Sequence, residues 1–103
     1  MAQIIFQGFN YIDHPMILSG KIRRIMGSQK IYCEIDNERA LITFTIYPSD
    51  IPAEYLAKTI DMVMTDYIRE NNPGSWMARN YFGHDDRLDH FIETIKNDKV
   101  YEF

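Results

Sequence analysis

The stretch PSDIPAEYLAKTIDMVMTDYIRENNPG, residues 48–74, constrains the fold more than any other part of the chain. Proline and small polar residues open it, NNPG closes it, and apolar residues recur between them at helical spacing, which predicts a helix of about five turns. Ser49 or Asp50 is the expected N-cap, with Pro52 in the first turn. At about 100° per residue, Leu56, Ile60, Val63 and Tyr67 form one narrow stripe, with Ala53 and Met64 at its edge. That stripe is expected to face a sheet. Tyr55, Thr59, Met62 and Asp66 form a second line beside it, wider than a helix lying on a single surface requires.

Before this helix the pattern is that of strands. IIFQGF at 4–9 is β-prone, and His14-Pro15 interrupts it, because a residue preceding proline is pushed out of the helical region. ILSGKIRRIM, KIYCEID and ALITFTIY follow, separated by turns at Gly27-Ser28 and Asn37-Glu38. An antiparallel meander of three or four strands is the simplest connection. A two-residue loop at Asn37-Glu38 sets Ile35 against Ala40, Cys33 against Ile42 and Ile31 against Phe44, all apolar, so one face of this hairpin is buried. Tyr32, Glu34, Thr43, Thr45 and Tyr47 fall on the other, wetter face, with Leu41 as the one misfit. Ile22 and Ile25 differ in parity, which suggests a bulge near Arg23 and Arg24.

After the long helix, SWMARNYFG is either a short helix capped by Ser75 or an irregular aromatic loop. A last helix over roughly 86–97 places Leu88, Phe91, Ile92 and Ile95 at i, i+3, i+4 and i+7, after which KVYEF either returns as an edge strand or trails off. The expected fold is therefore α+β: a meander, then one long and one or two shorter helices on one face of the sheet. With 103 residues, 46% of them hydrophobic, a single domain over 1–103 is expected, with material for one core and no second.

Candidate chemistry concentrates in GHDDRLDHF, residues 83–91. Asp86 and His90 lie one turn apart opposite the apolar stripe of the last helix, Glu93 extends the strip, and His84 precedes it, so His84, Asp86 and His90 are the only candidates for a metal. Helix initiation explains the same residues without a metal, since Asp85 or Asp86 is a favoured N-cap and acids in a first turn suit the helix dipole. The spacing matches no helical metal signature, and no metal or cofactor is expected. Cys33, the sole cysteine, lies in mid-strand beside Ile31 and Ile35 and reads as a small buried hydrophobe. His14 stands alone in a turn. The five glycines are scattered, so no phosphate-cradling loop is present. No catalytic residue can be assigned.

Net charge is −4, split as +1 over residues 1–49 and −5 over 50–103. An acidic chain argues against a nucleic-acid binder, whose phosphate contacts need a basic face. One basic cluster stands apart: Lys21, Arg23, Arg24 and Lys30, which with Tyr32 and Tyr47 on the open sheet face could hold a single strand by stacking and phosphate contacts. With one cysteine, no leader pattern and no apolar run of about 18 residues, a cytoplasmic protein outside the membrane is expected. The function expected is that of a small acidic binding protein, of the inhibitor, immunity or antitoxin kind, which masks a basic partner such as a toxin, nuclease or defence complex. Tyr55, Met62 and Asp66 are either the candidate anchor for that partner or for a second copy of the chain, or part of the core beneath the last helix or the WMARNYF segment; Asp86, Asp89, His90 and Glu93 are the candidate steering surface. The alternatives are a nucleic-acid- or ligand-binding module on the open sheet face and a metal-dependent enzyme.

Overall fold

In the computed structural model, residues 1–9 and 31–103 are described. The elements run β1 (Ala2–Phe6), β2 (Ile31–Asp36), β3 (Leu41–Ile46), α1 (Ala53–Asn71), α2 (Trp76–Gly83), α3 (Arg87–Lys96) and β4 (Val100–Glu102). The α+β class is as expected, but the sheet is mixed and not a pure antiparallel meander: its order is β2-β3-β1-β4, with β1 antiparallel to β3 and parallel to β4. The C-terminal KVYEF thus returns as a strand. It reaches the sheet only after the helical layer, and a strand entering by such a crossover can run parallel to its neighbour. The candidate strand ILSGKIRRIM, its bulge, and His14 lie outside the described residues.

The β2–β3 hairpin keeps its faces and loses its predicted register. Ile35 pairs with Ile42, Cys33 with Phe44 and Ile31 with Ile46, two residues away from expectation. The Asp36 carboxylate accepts the N–H groups of Glu38 and Arg39, each at 3.1 Å, and Ala40 takes a positive φ of 50°. The side-chain-bonded turn therefore consumes four residues instead of two. A slip of two preserves side-chain parity, which is why Ile42, Phe44 and Ile46 still face the core.

The helices lie on that face. Leu56, Ile60, Val63, Met64 and Tyr67 of α1 are buried, as their spacing implied. The cap differs: Pro52 occupies the N-cap without a side-chain hydrogen bond, while the Ser49 hydroxyl accepts the Ile51 N–H at 3.3 Å one step upstream. Residues 76–83 are helical, opened by Ser75, whose hydroxyl accepts the Ala78 N–H at 3.1 Å. α3 ends with Asp98 at φ 55° and the Lys99 N–H bonded to the Thr94 carbonyl at 3.1 Å, the arrangement by which a left-handed residue ties off the last turn.

Strand β1 stops at Phe6, short of the expected residue 9. Gly8 has φ of +90°, its carbonyl accepts the Met77 N–H at 3.0 Å, and a Cβ built on it would fall inside the Trp76 indole. Only glycine combines that backbone with that close approach. Gly8→Ala is expected to destabilise by about 1–2 kcal/mol, measured by denaturant unfolding, with Trp76 fluorescence shifting as the indole is displaced.

Candidate functional site

The expected surface residues fall on two neighbouring helices. α1 and α3 run antiparallel, tied by Lys96 Nζ at the end of α3 to Glu54 Oε1 at the start of α1, at 2.8 Å, and by Arg87 Nε at the start of α3 to Asp61 Oδ1 in the middle of α1, at 2.8 Å. The hydrogen bond and charge of Lys96 hold the Glu54 carboxyl below its ordinary range. Tyr55 is 55% exposed and Met62 48%, and Asp66 is exposed beside them, so neither α2 nor α3 covers these three residues. Thr59, in the same line, is buried and donates its hydroxyl to the Tyr55 carbonyl at 2.9 Å. Lys58 and Arg69 are also exposed on α1 and flank Met62. Sequence reading passed over them, because charged residues on a helix surface carry no signal until the buried face is known.

On α3, Asp86, Asp89 and Glu93 are exposed and His90 half-buried. Asp86 sits at the N-cap position, yet its side chain makes no capping hydrogen bond, contrary to expectation. Its carboxylate instead meets His90 Nε2 at 3.0 Å, one turn on, and the imidazole lies flat on the Tyr101 ring with centroids 5.2 Å apart. Burial, then the Asp86 charge, pushes the Tyr101 hydroxyl above its ordinary range. Glu93 faces Lys99 at 3.7 Å, and Asp89 makes no ion pair among the described residues. His84 turns elsewhere: its Nδ1 meets the Asn80 carbonyl at 2.7 Å and its ring abuts Phe103. It does not join Asp86 and His90. Among the described residues, no three His, Cys, Asp or Glu side chains stand close enough together to hold a metal ion.

The open sheet face carries the nucleic-acid alternative. Of its candidate contacts, Lys21, Arg23, Arg24 and Lys30 lie outside the described residues. Tyr32 is 50% exposed on β2, but the next row across the sheet runs Glu34, Thr43, Ile5, Glu102, with an acid at each end. Tyr47 lies beyond the end of β3 and lines a groove of about 340 Å³ with Ile46, Ile51, Leu56, Ile95 and Lys96. Cys33 faces the helical side, half-buried; burial and then the Glu34 charge push its thiol up to about 12, so it is no nucleophile at neutral pH.

One polar cluster escaped the sequence reading. Tyr81, fully buried, donates its hydroxyl to the Asp61 carboxylate, and Arg87 both pairs with that carboxylate and lies 4.5 Å over the Tyr81 ring. Burial first, and Asp61 second, drive the Tyr81 hydroxyl well above the ordinary phenol range. The guanidinium also donates to the carbonyls of Tyr81 and His84, at 3.3 and 3.2 Å. The cluster joins all three helices, and each member is occupied by the others, which makes it a structural tie. Its only trace in the sequence is an aspartate one position from the buried Ile60.

Charge is unevenly divided. Residues 10–30 hold Lys21, Arg23, Arg24 and Lys30 against Asp13, a net of +3, so the remaining residues carry −7 of the total −4. Among the described residues no helix is long and apolar enough to cross a membrane. No protein family matches the chain, and neither the curated proteins nor the solved structures include a significant match.

Proposed function

We propose that the chain is a small acidic binding protein that masks a basic macromolecular partner, in the manner of an inhibitor, immunity protein or antitoxin, inside the cytoplasm. The observation that carries this reading is the outward surface of the helical layer. There the exposed carboxylates Asp86, Asp89 and Glu93 of α3 lie on the helix next to exposed Tyr55 and Met62 of α1. Solvated carboxylates accelerate encounter with a basic surface, and exposed aromatic and thioether side chains supply the desolvated contact that holds a complex together, with a partner or with a second copy of the chain. His90, stacked on Tyr101, borders the strip and adds a flat polar contact. A protein partner needs no catalytic group, and the reading requires no cofactor.

The test is capture of the partner from native cell extract, its identification by mass, and measurement of its association with variants. Asp89→Lys combined with Glu93→Lys is expected to slow association about tenfold at low salt, with the difference shrinking as salt is raised. Tyr55→Ala is expected to cost about 2 kcal/mol of the association its patch carries, seen as faster dissociation, while the melting temperature stays within a degree or two. An association rate indifferent to the charge reversal, or a partner without a basic surface, overturns the proposal.

A further inference from the structure

We infer that the outer strip of α1 binds a second copy of this chain, helix against helix about a two-fold axis at Met62. The inference rests on the reading of Tyr55 and Met62 as an interface core, and it takes a second copy of the chain as the occupant of that core, leaving the exposed face of α3 to the basic partner. At about 100° per residue, Tyr55, Lys58, Met62, Asp66 and Arg69 fall within about 80° of the helix circumference. All five are exposed.

Their order is self-complementary. When two identical helices pack antiparallel with a two-fold axis through one residue, positions equally far before and after that residue meet across the interface. With the axis at Met62, each Met62 meets its copy. Lys58, four residues before, meets Asp66, four residues after. Tyr55, seven before, meets Arg69, seven after. Symmetry makes each of these contacts twice, so the interface would hold a thioether centre, two ammonium–carboxylate pairs and two guanidinium–aromatic contacts. A shallow crossing, near 20°, keeps residues seven positions from the axis in reach.

The groups needed are free to act. Neither Lys58 nor Asp66 forms a salt bridge among the described residues; Lys58 has only the through-space influence of Glu54, which is itself paired with Lys96. Arg69 lies 5.3 Å over the Phe82 ring, which holds the guanidinium at the surface while leaving it exposed. The strip carries charges of both signs, Lys58 and Arg69 with Asp66 between them. Its charges complement each other in reverse order, and the partner that offers that order is the same helix turned end for end.

The experiment is sedimentation equilibrium on the purified full chain, without other proteins, over a concentration series up to about 1 mM, which spans the range of weak protein interfaces. The wild type is expected to show a reversible monomer–dimer equilibrium. Lys58→Asp and Asp66→Lys are each expected to weaken it about tenfold or more, because each sets like charges opposite one another, and the double swap Lys58→Asp with Asp66→Lys is expected to restore it. Met62→Glu is expected to abolish it. Circular dichroism melts of every variant control for folding, which exposed positions should leave intact. A wild type that stays monomeric throughout, a dimer indifferent to Met62→Glu, or a double swap no better than the single changes overturns the inference. The partner-binding proposal stands or falls separately, on the Asp89 and Glu93 variants and the captured partner.

Discussion

Phe6→Ala is expected to destabilise the protein by about 3–5 kcal/mol, the largest effect of any single substitution considered. Phe6 is fully buried at the end of β1, and its ring has four aromatic neighbours: Phe44 of β3 at 5.7 Å, Tyr81 of α2 at 6.0 Å, Phe91 of α3 at 5.9 Å and Phe103 beyond β4 at 5.8 Å. Two of these contacts are edge-on, the geometry that aligns a ring's positive edge with its neighbour's negative face, and so adds to plain area burial. Truncation would leave a void walled by rigid rings from three elements and the C-terminal residue, and three of those rings cannot close it without moving a strand or a helix. The same hub binds the C-terminus, because Phe103 is buried among Phe6, Tyr81 and Phe91 and donates its N–H to the Ile5 carbonyl at 2.7 Å. Urea unfolding would measure the loss. A change below about 1 kcal/mol would show that the rings do not pack as described.

Asp61→Ala is expected to cost about 2–3 kcal/mol, the second largest effect, by removing the charged acceptor that two donors share. Tyr81, on a fully buried side chain, loses its carboxylate acceptor and keeps only the longer bond to the Asp61 main-chain carbonyl at 3.3 Å, and Arg87 loses its counter-charge while still bound to two carbonyls. The penalty stays below that of a fully buried pair because the Arg87 and Asp61 side chains keep 20% and 26% of their exposure, so water can reach the orphaned guanidinium. A double-mutant cycle isolates the coupling. Asp61→Ala in an Arg87→Ala background should cost clearly less than in the wild type, and full additivity would show that the two residues do not act as a unit.

Neither residue's weight was legible in the sequence. Phe6 is one aromatic in a β-prone run, and its importance comes from partners 38 to 97 positions away, which only packing brings together. Asp61 reads as an ordinary surface acid of α1 until α3 is laid beside it. The two-residue error in the β2–β3 register has a similar origin: apolar matching scores the observed and expected pairings alike, and Asp36's capture of the turn N–H groups, a local hydrogen-bond choice, decides between them. The Asp86 cap failed because the carboxylate has a competing partner one turn on, in His90.

Local periodicity by itself determined the α+β class, the presence and buried stripe of α1, the inward face of the hairpin and the exposure of the α3 acids. Those properties follow from which side chains share one face of a single element, and a repeat of 3.6 or 2 residues records that directly. Tertiary structure alone decided that β1 lies between β3 and β4, that β4 runs parallel to it, that Phe103 enters the core, and that Asp61, Tyr81 and Arg87 meet. Strand order and contacts between helices depend on closing long loops, whose free-energy cost grows only slowly with length, so many pairings compete at similar cost. The winner is the one in which the rings around Phe6 fill space, a property of the whole packed set that no window of the sequence contains.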